Sequence, residues 1–139
     1  MTPQDLRHIT ATADRIDPDT FATTFYDTLF EFAPSTRAMF PDDLSEQRRK
    51  LMAELTTMIT LATSIVDGDM ARFEERAHRL GRRHVDYGAT AAHYEVVGTA
   101  LLSTLAAHVE SWDAADELAW TRLYGVISST MQEPIHLDA

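Results

Sequence analysis

Apolar residues recur along the chain at intervals of three and four positions, the spacing of one face of an α-helix. Five segments show this pattern: Phe21, Phe25, Leu29 and Phe32; Leu51, Leu55, Met58, Ala62 and Ile65; Phe73, Ala77, Leu80 and His84; Tyr94, Val97, Leu101 and Leu105; Trp120, Tyr124, Ile127 and Met131. No segment sustains the alternation typical of a β-strand. The pattern predicts an all-α protein of six to seven helices.

Capping residues, prolines and glycines predict where these helices begin and end. We expect a first helix over residues 4–16, a second opened by Asp17 and Pro18, and a short one from Pro34 to about Phe40. Four longer helices are expected from Ser45 to about Val66, from about Met70 to Asp86, from Thr90 to about Glu110, and from Asp113 to a stop at Pro134. The breaks fall at 67–69 and at 87–88.

Length and composition narrow the classes of protein that these helices can form. A chain of 139 residues with 45% hydrophobic and 24% charged residues suits a single domain over 1–139. Because Cys is absent, disulfides, thiolate metal sites and covalent cofactor attachment through CxxCH are excluded. The net charge of −10 disfavours binding to nucleic acid or to anionic membranes. No signal-peptide pattern occurs, so a cytoplasmic location is expected.

His84 is the residue whose position most suggests chemistry. It lies one turn after Leu80 on the apolar face of its predicted helix, whereas no two of the six His have the spacing of a helical metal pair. One interpretation is a core His bonded to a backbone carbonyl. The other is a neutral imidazole that binds haem iron through one nitrogen while its second N–H bonds the carbonyl near Leu80.

Residues elsewhere could form the opposite wall of such a site. Phe40 ends an MFP turn, where an aromatic ring could pack on a flat macrocycle. Gln47 lies one turn before Leu51, and Tyr26 adds a hydroxyl among phenylalanines. Each has an ordinary alternative: Phe40 as plain core, Gln47 as a solvated first-turn residue, and Tyr26 as a core Tyr with its hydroxyl at the surface.

A set of longer motifs resembles a known family. They are FYDTLFEFAPSTRAMFP at 25–41, QRRKL at 47–51, RRHVDYG at 82–88, HYEVVGTALL at 93–102 and AWTRLYGVI at 119–127. Taken in order, they resemble bacterial haemoglobins, both the single-domain globins and the haem domain of flavohaemoglobins. The resemblance covers nearly the whole chain, and it implies a globin fold around a haem pocket.

The resemblance also implies roles for individual residues. His84 matches the proximal iron ligand, Tyr26 the distal tyrosine that bonds O2, and Gln47 the distal glutamine. The residues that would contact haem b are Phe40, Leu51, Leu80, Arg83, His84, Tyr94 and Val97. In flavohaemoglobins a glutamate of the last helix joins the proximal His, but its place here falls on Ile135. Glu133 is two residues early, and the expected helix stop at Pro134 precedes that position.

The function implied is reversible O2 binding at a five-coordinate iron, with CO and NO as further ligands. Two alternatives share the same residues: a nitric-oxide dioxygenase served by a separate reductase, and a globin-type haem sensor. Whether the protein is an enzyme, and whether it is a monomer or a homodimer, stays open. The segment from Arg72 to Arg83 holds five arginines, which are either a solvated face with intrahelical ion pairs or a docking site for an acidic reductase.

Overall fold

The computed structural model describes residues 1–137 of the backbone, and side-chain burial for residues 1–133. The described chain forms α1 (Pro3–Ala13), α2 (Pro18–Phe32), a short 3-10 helix (Pro34–Met39), α3 (Ser45–Val66), α4 (Met70–Asp86), α5 (Ala91–His108) and α6 (Ala114–Leu137). Within these residues there is no β-strand, so the predicted all-α class is confirmed. None of the described helices is long and apolar enough to cross a membrane.

The helices pack in crossed pairs around one core. α4 lies against α6, α2 against α5, and α1 against α6. The largest side chains with almost no exposed surface are Trp120, Phe21, Phe73, Ile9, Leu61, Leu105 and Leu123. Because each such side chain contributes about 1.5–3 kcal/mol when it leaves water, this core supplies most of the stability of the fold.

Polar contacts also join α1 to α6. The buried indole Nε1 of Trp120 donates to the hydroxyl of Thr12 at 2.7 Å. The His8 ring lies 2.8 Å from the Asp116 carboxylate, and Arg122 lies 3.2 Å from Asp5. These contacts help to fix the orientation of α1 against α6.

Most predicted boundaries agree with the structure, and the glycine breaks are confirmed. Gly68 and Gly88 follow α3 and α4 with φ of 83° and 86°, a conformation that other residues rarely adopt. Thr90 begins α5 in a capping box with His93, as expected for an N-cap residue. The predicted end of α5 near Glu110 is two residues late, since Val109 is already extended.

Two predicted boundaries at helix ends are wrong. The first helix ends at Ala13 rather than residue 16, because the Arg15 and Ile16 amides bond carbonyls three residues back as a turn. Ser45 is the first residue of α3 and not its cap. The Asp43 carboxylate accepts hydrogen bonds from the Ser45 amide and hydroxyl, so the capping group comes from two residues upstream.

The predicted stop at Pro134 and the predicted burial of Phe32 are also wrong. The helical backbone of α6 continues to Leu137, since a proline near a helix end removes only one hydrogen bond from an established helix. Phe32 is 49% exposed because it is the last residue of α2, where the chain turns into the 3-10 helix and no element covers the ring.

Candidate cofactor cavity

A cavity of about 560 Å³ lies between α2, the 3-10 helix, α3, α4 and the start of α5. An adjoining apolar recess of about 130 Å³ extends from it toward α6. All the residues predicted to form the site line one or both spaces: Tyr26, Phe40, Gln47, Leu51, Leu80, Arg83, His84, Tyr94 and Val97. The structure therefore brings together residues that are up to 71 positions apart in the sequence.

His84 faces the cavity from the last turn of α4. Its Nδ1 lies 2.8 Å from the carbonyl oxygen of Leu80, and since a carbonyl only accepts, Nδ1 carries the hydrogen. In the neutral ring Nε2 then carries the lone pair, and within the described chain no hydrogen-bond partner occupies it. The ring is half-buried and packs at 6.0 Å from that of Tyr94. Both interpretations of His84 share this hydrogen bond, but only an iron ligand also needs the free Nε2.

Tyr26 and Phe40 form an aromatic cluster on the opposite side of the cavity. The Tyr26 ring contacts Phe25, Phe30 and Phe40 with centroid separations of 5.1, 5.9 and 5.6 Å. Only 4% of Tyr26 is exposed, although it also lines the cavity. The edge-to-face packing between Tyr26 and Phe40 holds these two rings in one orientation.

The Tyr26 hydroxyl is a neutral donor. It points to the backbone carbonyl of Gln47 at 3.4 Å, longer than a normal O–H···O hydrogen bond. Burial raises the pKa of Tyr26 to about 12, against a lowering by the side chain of Gln47. The hydroxyl therefore keeps its hydrogen at neutral pH and is free to exchange a weak partner for a better one.

Arg37 positions the turn that carries Phe40, a role that sequence reasoning missed. Its guanidinium donates to the carbonyls of Phe40, Pro41 and Asp42 at 3.3, 3.0 and 3.1 Å. It also lies 5.2 Å above the Phe30 ring. One cation therefore satisfies three carbonyls that the turn leaves free. The sequence signal was only the position of an arginine just before MFP.

Glu54 is the second residue of the cavity that sequence reasoning missed. It follows Leu51 by three positions, so both face the same side of α3. Burial raises the pKa of the Glu54 carboxyl, while the charges of Arg83 and Lys50 act in the lowering direction. Glu54 is exposed and lines the cavity. A 4-3-4 spacing over Gln47, Leu51, Glu54 and Met58 is the signal that could have found it.

Tyr94 places an unsatisfied polar atom at the recess. Its buried hydroxyl has no hydrogen-bond partner among the described residues, and burial raises its pKa to about 12. Tyr124 donates its own hydroxyl to the backbone carbonyl of Tyr94, which ties α6 to α5 behind the cavity. His93 also lines the cavity, with its Nδ1 accepting from the Thr90 amide at 3.0 Å.

Glu133, the carboxylate nearest in sequence to the position expected for the proximal glutamate, contacts another residue. Glu133 lies 2.6 Å from Nε2 of His78, on the outer side of α4. His78 therefore does not face the cavity, as its position on the helix predicts. The Ile135 side chain lies outside the described residues. In the described part of the chain, the hydrogen-bond partner of His84 is the Leu80 carbonyl alone.

These features fit haem. The cavity combines apolar and aromatic walls, one imidazole with a free nitrogen, and cationic side chains of Lys50 and Arg83 at its lining. The Tyr94 hydroxyl adds a buried polar atom that has no hydrogen-bond partner among the described residues. Fold and cavity together define an α-helical haem-binding class of protein.

Comparison with known proteins agrees. The globin family model, described as Globin, matches residues 23–131. The chain belongs to the globin family. A bacterial globin from Campylobacter jejuni superposes with a TM-score of 0.73 at 19% identity, covering 97% of this chain and 98% of that one. A Pseudomonas aeruginosa PAO1 protein is described as structurally highly homologous to a human hemoglobin. It superposes with a TM-score of 0.77 at 21% identity, covering 92% of this chain and 95% of that one.

Curated relatives belong to the same family under different names. An anaerobic nitrite reductase of Oryza sativa subsp. indica is 32% identical over 124 residues, 84% of this chain and 82% of that protein. A flavohemoprotein of Bacillus thuringiensis subsp. konkukian is 31% identical over 108 residues. That match spans 76% of this chain but only 26% of the flavohemoprotein. The predicted globin fold and the resemblance to bacterial globins are confirmed.

Proposed function

We propose that this globin holds haem b non-covalently and binds O2 reversibly, with His84 as its single protein ligand to iron. The observation that carries the proposal is that His84 lines the cavity with its Nδ1 hydrogen bonded to the Leu80 carbonyl, which leaves Nε2 as the nitrogen that can bind a metal. When bound, haem supplies a ferrous iron with one position for a diatomic ligand. With no Cys in the chain, attachment of the haem through cysteine thioethers is excluded.

The chain's own residues would hold the cofactor and its ligand. Phe40, Leu51, Leu80 and Val97 supply apolar contacts, while Lys50 and Arg83 supply positive charge for the propionates. Tyr26 would exchange its 3.4 Å contact with Gln47 for a stronger hydrogen bond to the diatomic ligand. Gln47 is half-buried and offers a second amide donor from the first turn of α3.

A visible absorption spectrum of the purified protein tests the proposal. After reduction by dithionite, the spectrum of a five-coordinate ferrous haem is expected, with a large shift on addition of CO. Extraction with acidified butanone should recover free haem b, which a covalent link would prevent. A reduced protein with no haem absorbance after reconstitution with hemin would reject the proposal.

Chemistry of nitrogen oxides is the second candidate, and the name of one relative, an anaerobic nitrite reductase, favours it. A dioxygenase would convert NO and O2 to nitrate with one electron, whereas a nitrite reductase would convert nitrite, two protons and one electron to NO and water. Either needs an external electron donor for turnover. Aerobic NO consumption and anaerobic NO production from nitrite, both with excess reductant, separate these activities from simple O2 binding.

A further inference from the structure

The mouth of the cavity is an apolar surface with a positive rim. Tyr87 and Met39 line the cavity, yet they are 64% and 41% exposed. Lys50 and Arg83 line the same cavity and are also exposed, and Glu54 is the one carboxylate among its lining residues, so positive charge is in excess there. Exposed apolar residues with a polar, charged border mark interaction surfaces in soluble proteins.

A stripe of arginines extends from this mouth along α4. Arg72, Arg76, Arg79 and Arg83 follow one another at intervals of four, three and four residues. At 100° per residue they lie within about 60° of one another and extend for about 16 Å. All four are exposed, and the stripe lies about 100° round the helix from the buried face that includes His84.

The net charge of α4 is positive, whereas that of the rest of the chain is negative. α4 contains five arginines and three carboxylates, a net charge of +2, whereas the other residues have seven basic and nineteen acidic groups, or −12. Arg79 pairs with Glu75 at 3.0 Å, and within the described chain the other four arginines of α4 form no ion pair. Most of this positive charge is therefore available to a partner.

We propose that the mouth and the arginine stripe form the docking surface for an acidic electron-transfer protein. This inference rests on the proposed haem function, since the electron acceptor is the ferric iron. The partner's reduced flavin or iron–sulfur centre loses one electron, and the iron gains it. The positive stripe steers the acidic partner, and the apolar residues at the mouth bring the two centres together. An acidic partner is repelled by the remaining surface, so docking is confined to this place.

Stopped-flow reduction of the ferric holoprotein by reduced flavodoxin, an acidic FMN protein, tests the surface. The variant is Arg72→Glu with Arg76→Glu, both distant from the cavity. The control is Arg7→Glu with Arg15→Glu on the α1 side, which makes the same change in net charge. At low ionic strength we expect the second-order rate constant to fall about tenfold or more in the variant. The control should stay within about threefold of the parent.

Photoreduced riboflavin, a neutral donor, separates this inference from the haem proposal. Both variants should be reduced by riboflavin at the parent rate, which shows that the cofactor site is intact. If the parent protein holds no reducible haem, the proposed haem function is rejected. Equal flavodoxin rates in the α4 variant and the control overturn the docking surface alone. The docking surface is also overturned if the α4 variant loses the parent's binding to phosphatidylglycerol vesicles while its rate of reduction by flavodoxin is unchanged. The stripe would then bind a membrane and not a protein.

Discussion

The Nδ1 atom of His84 donates its hydrogen to the carbonyl oxygen of Leu80, 2.8 Å away and one turn earlier in α4. This bond joins two positions of the same helix, so it is present whenever α4 is formed. It selects one tautomer and keeps the other nitrogen as an acceptor toward the cavity. The imidazole is therefore oriented before any ligand arrives.

Replacing His84 is expected to remove the haem site while leaving the fold. We predict that His84→Ala reconstitutes with hemin to less than about a tenth of the parent haem content, because His93, the other imidazole at the cavity, already uses its Nδ1 lone pair to accept from the Thr90 amide. His78→Ala is the matched control on the same helix, since His78 contacts Glu133 on the outer side. Haem content is measured by the pyridine haemochrome assay after desalting. Normal haem content and a normal ferrous spectrum in His84→Ala would disprove the assignment.

Removing the Tyr26 hydroxyl is expected to speed ligand release. A hydrogen bond to a charged or strongly polarised acceptor contributes about 1.5–3 kcal/mol, so Tyr26→Phe should raise the O2 dissociation rate about tenfold or more. Gln47→Ala should act in the same direction but less, because its side chain is half-buried and longer. Stopped-flow replacement of O2 by CO gives the rates.

The pH dependence provides an independent check on Tyr26. Because burial raises its pKa to about 12, the hydroxyl remains a donor through pH 10, and the parent release rate should be flat from pH 6 to pH 10. A Tyr26 variant with the parent release rate would show that the ligand has another donor.

Gly81 allows α4 and α6 to approach each other. A Cβ at this position would lie 2.0 Å from the backbone oxygen of Met131, which cannot move without shifting α6. Gly81→Ala should therefore destabilise the protein by about 3 kcal/mol or more, despite the better helix propensity of Ala. Gly125→Ala is the control, since a Cβ there meets nothing within 4 Å and should stabilise α6 by up to about 1 kcal/mol. Urea unfolding followed by circular dichroism measures both changes, and equal stability of the two variants would exclude a close contact at Gly81.

Asp5 makes the stability of α1 sensitive to acid. Burial by itself would raise the pKa of Asp5, but the Thr2 amide and the Arg122 guanidinium outweigh it, and the pKa is lowered. A lowered pKa in the folded state gives stability that is present above the unfolded value of about 3.9 and is lost as the pH falls through the folded pKa. Asp5→Asn should therefore cost about 1 kcal/mol at pH 7 and progressively less below pH 4. Asp14→Asn, at an exposed position, serves as the control in urea unfolding at both pH values. A pH-independent cost would assign the effect to packing.

Helical spacing and short motifs predicted the residues that line the cavity more accurately than they predicted the ends of the helices. The positions of His84, Tyr26, Phe40 and Gln47 followed from helical spacing and from short motifs that resemble bacterial globins. Their convergence on one cavity is observed, whereas their roles remain predictions. The error at Ser45 arose because the carboxylate that bonds the first amide of α3 comes from Asp43, two residues upstream. The error at Pro134 arose because a proline can be tolerated in a helix that is already held by its packing.

The sequence by itself determined which face of each helix is apolar and that Leu80 lies one turn before His84, where its carbonyl can accept from the ring. These properties depend on contacts between residues three and four positions apart, which repeat in any α-helix with this order of side chains. They require no knowledge of how the helices cross.

Only the tertiary structure decided which polar groups enter the cavity and where helices touch. Glu54 looks like a surface residue in α3 until α4 brings His84 and Arg83 opposite it. Gly81 and the Thr12–Trp120 hydrogen bond matter because α6 crosses α4 and α1 at those residues. Burial, close approach and the pKa shifts that follow depend on atoms far apart in the chain, so they exist only once the helices are packed together.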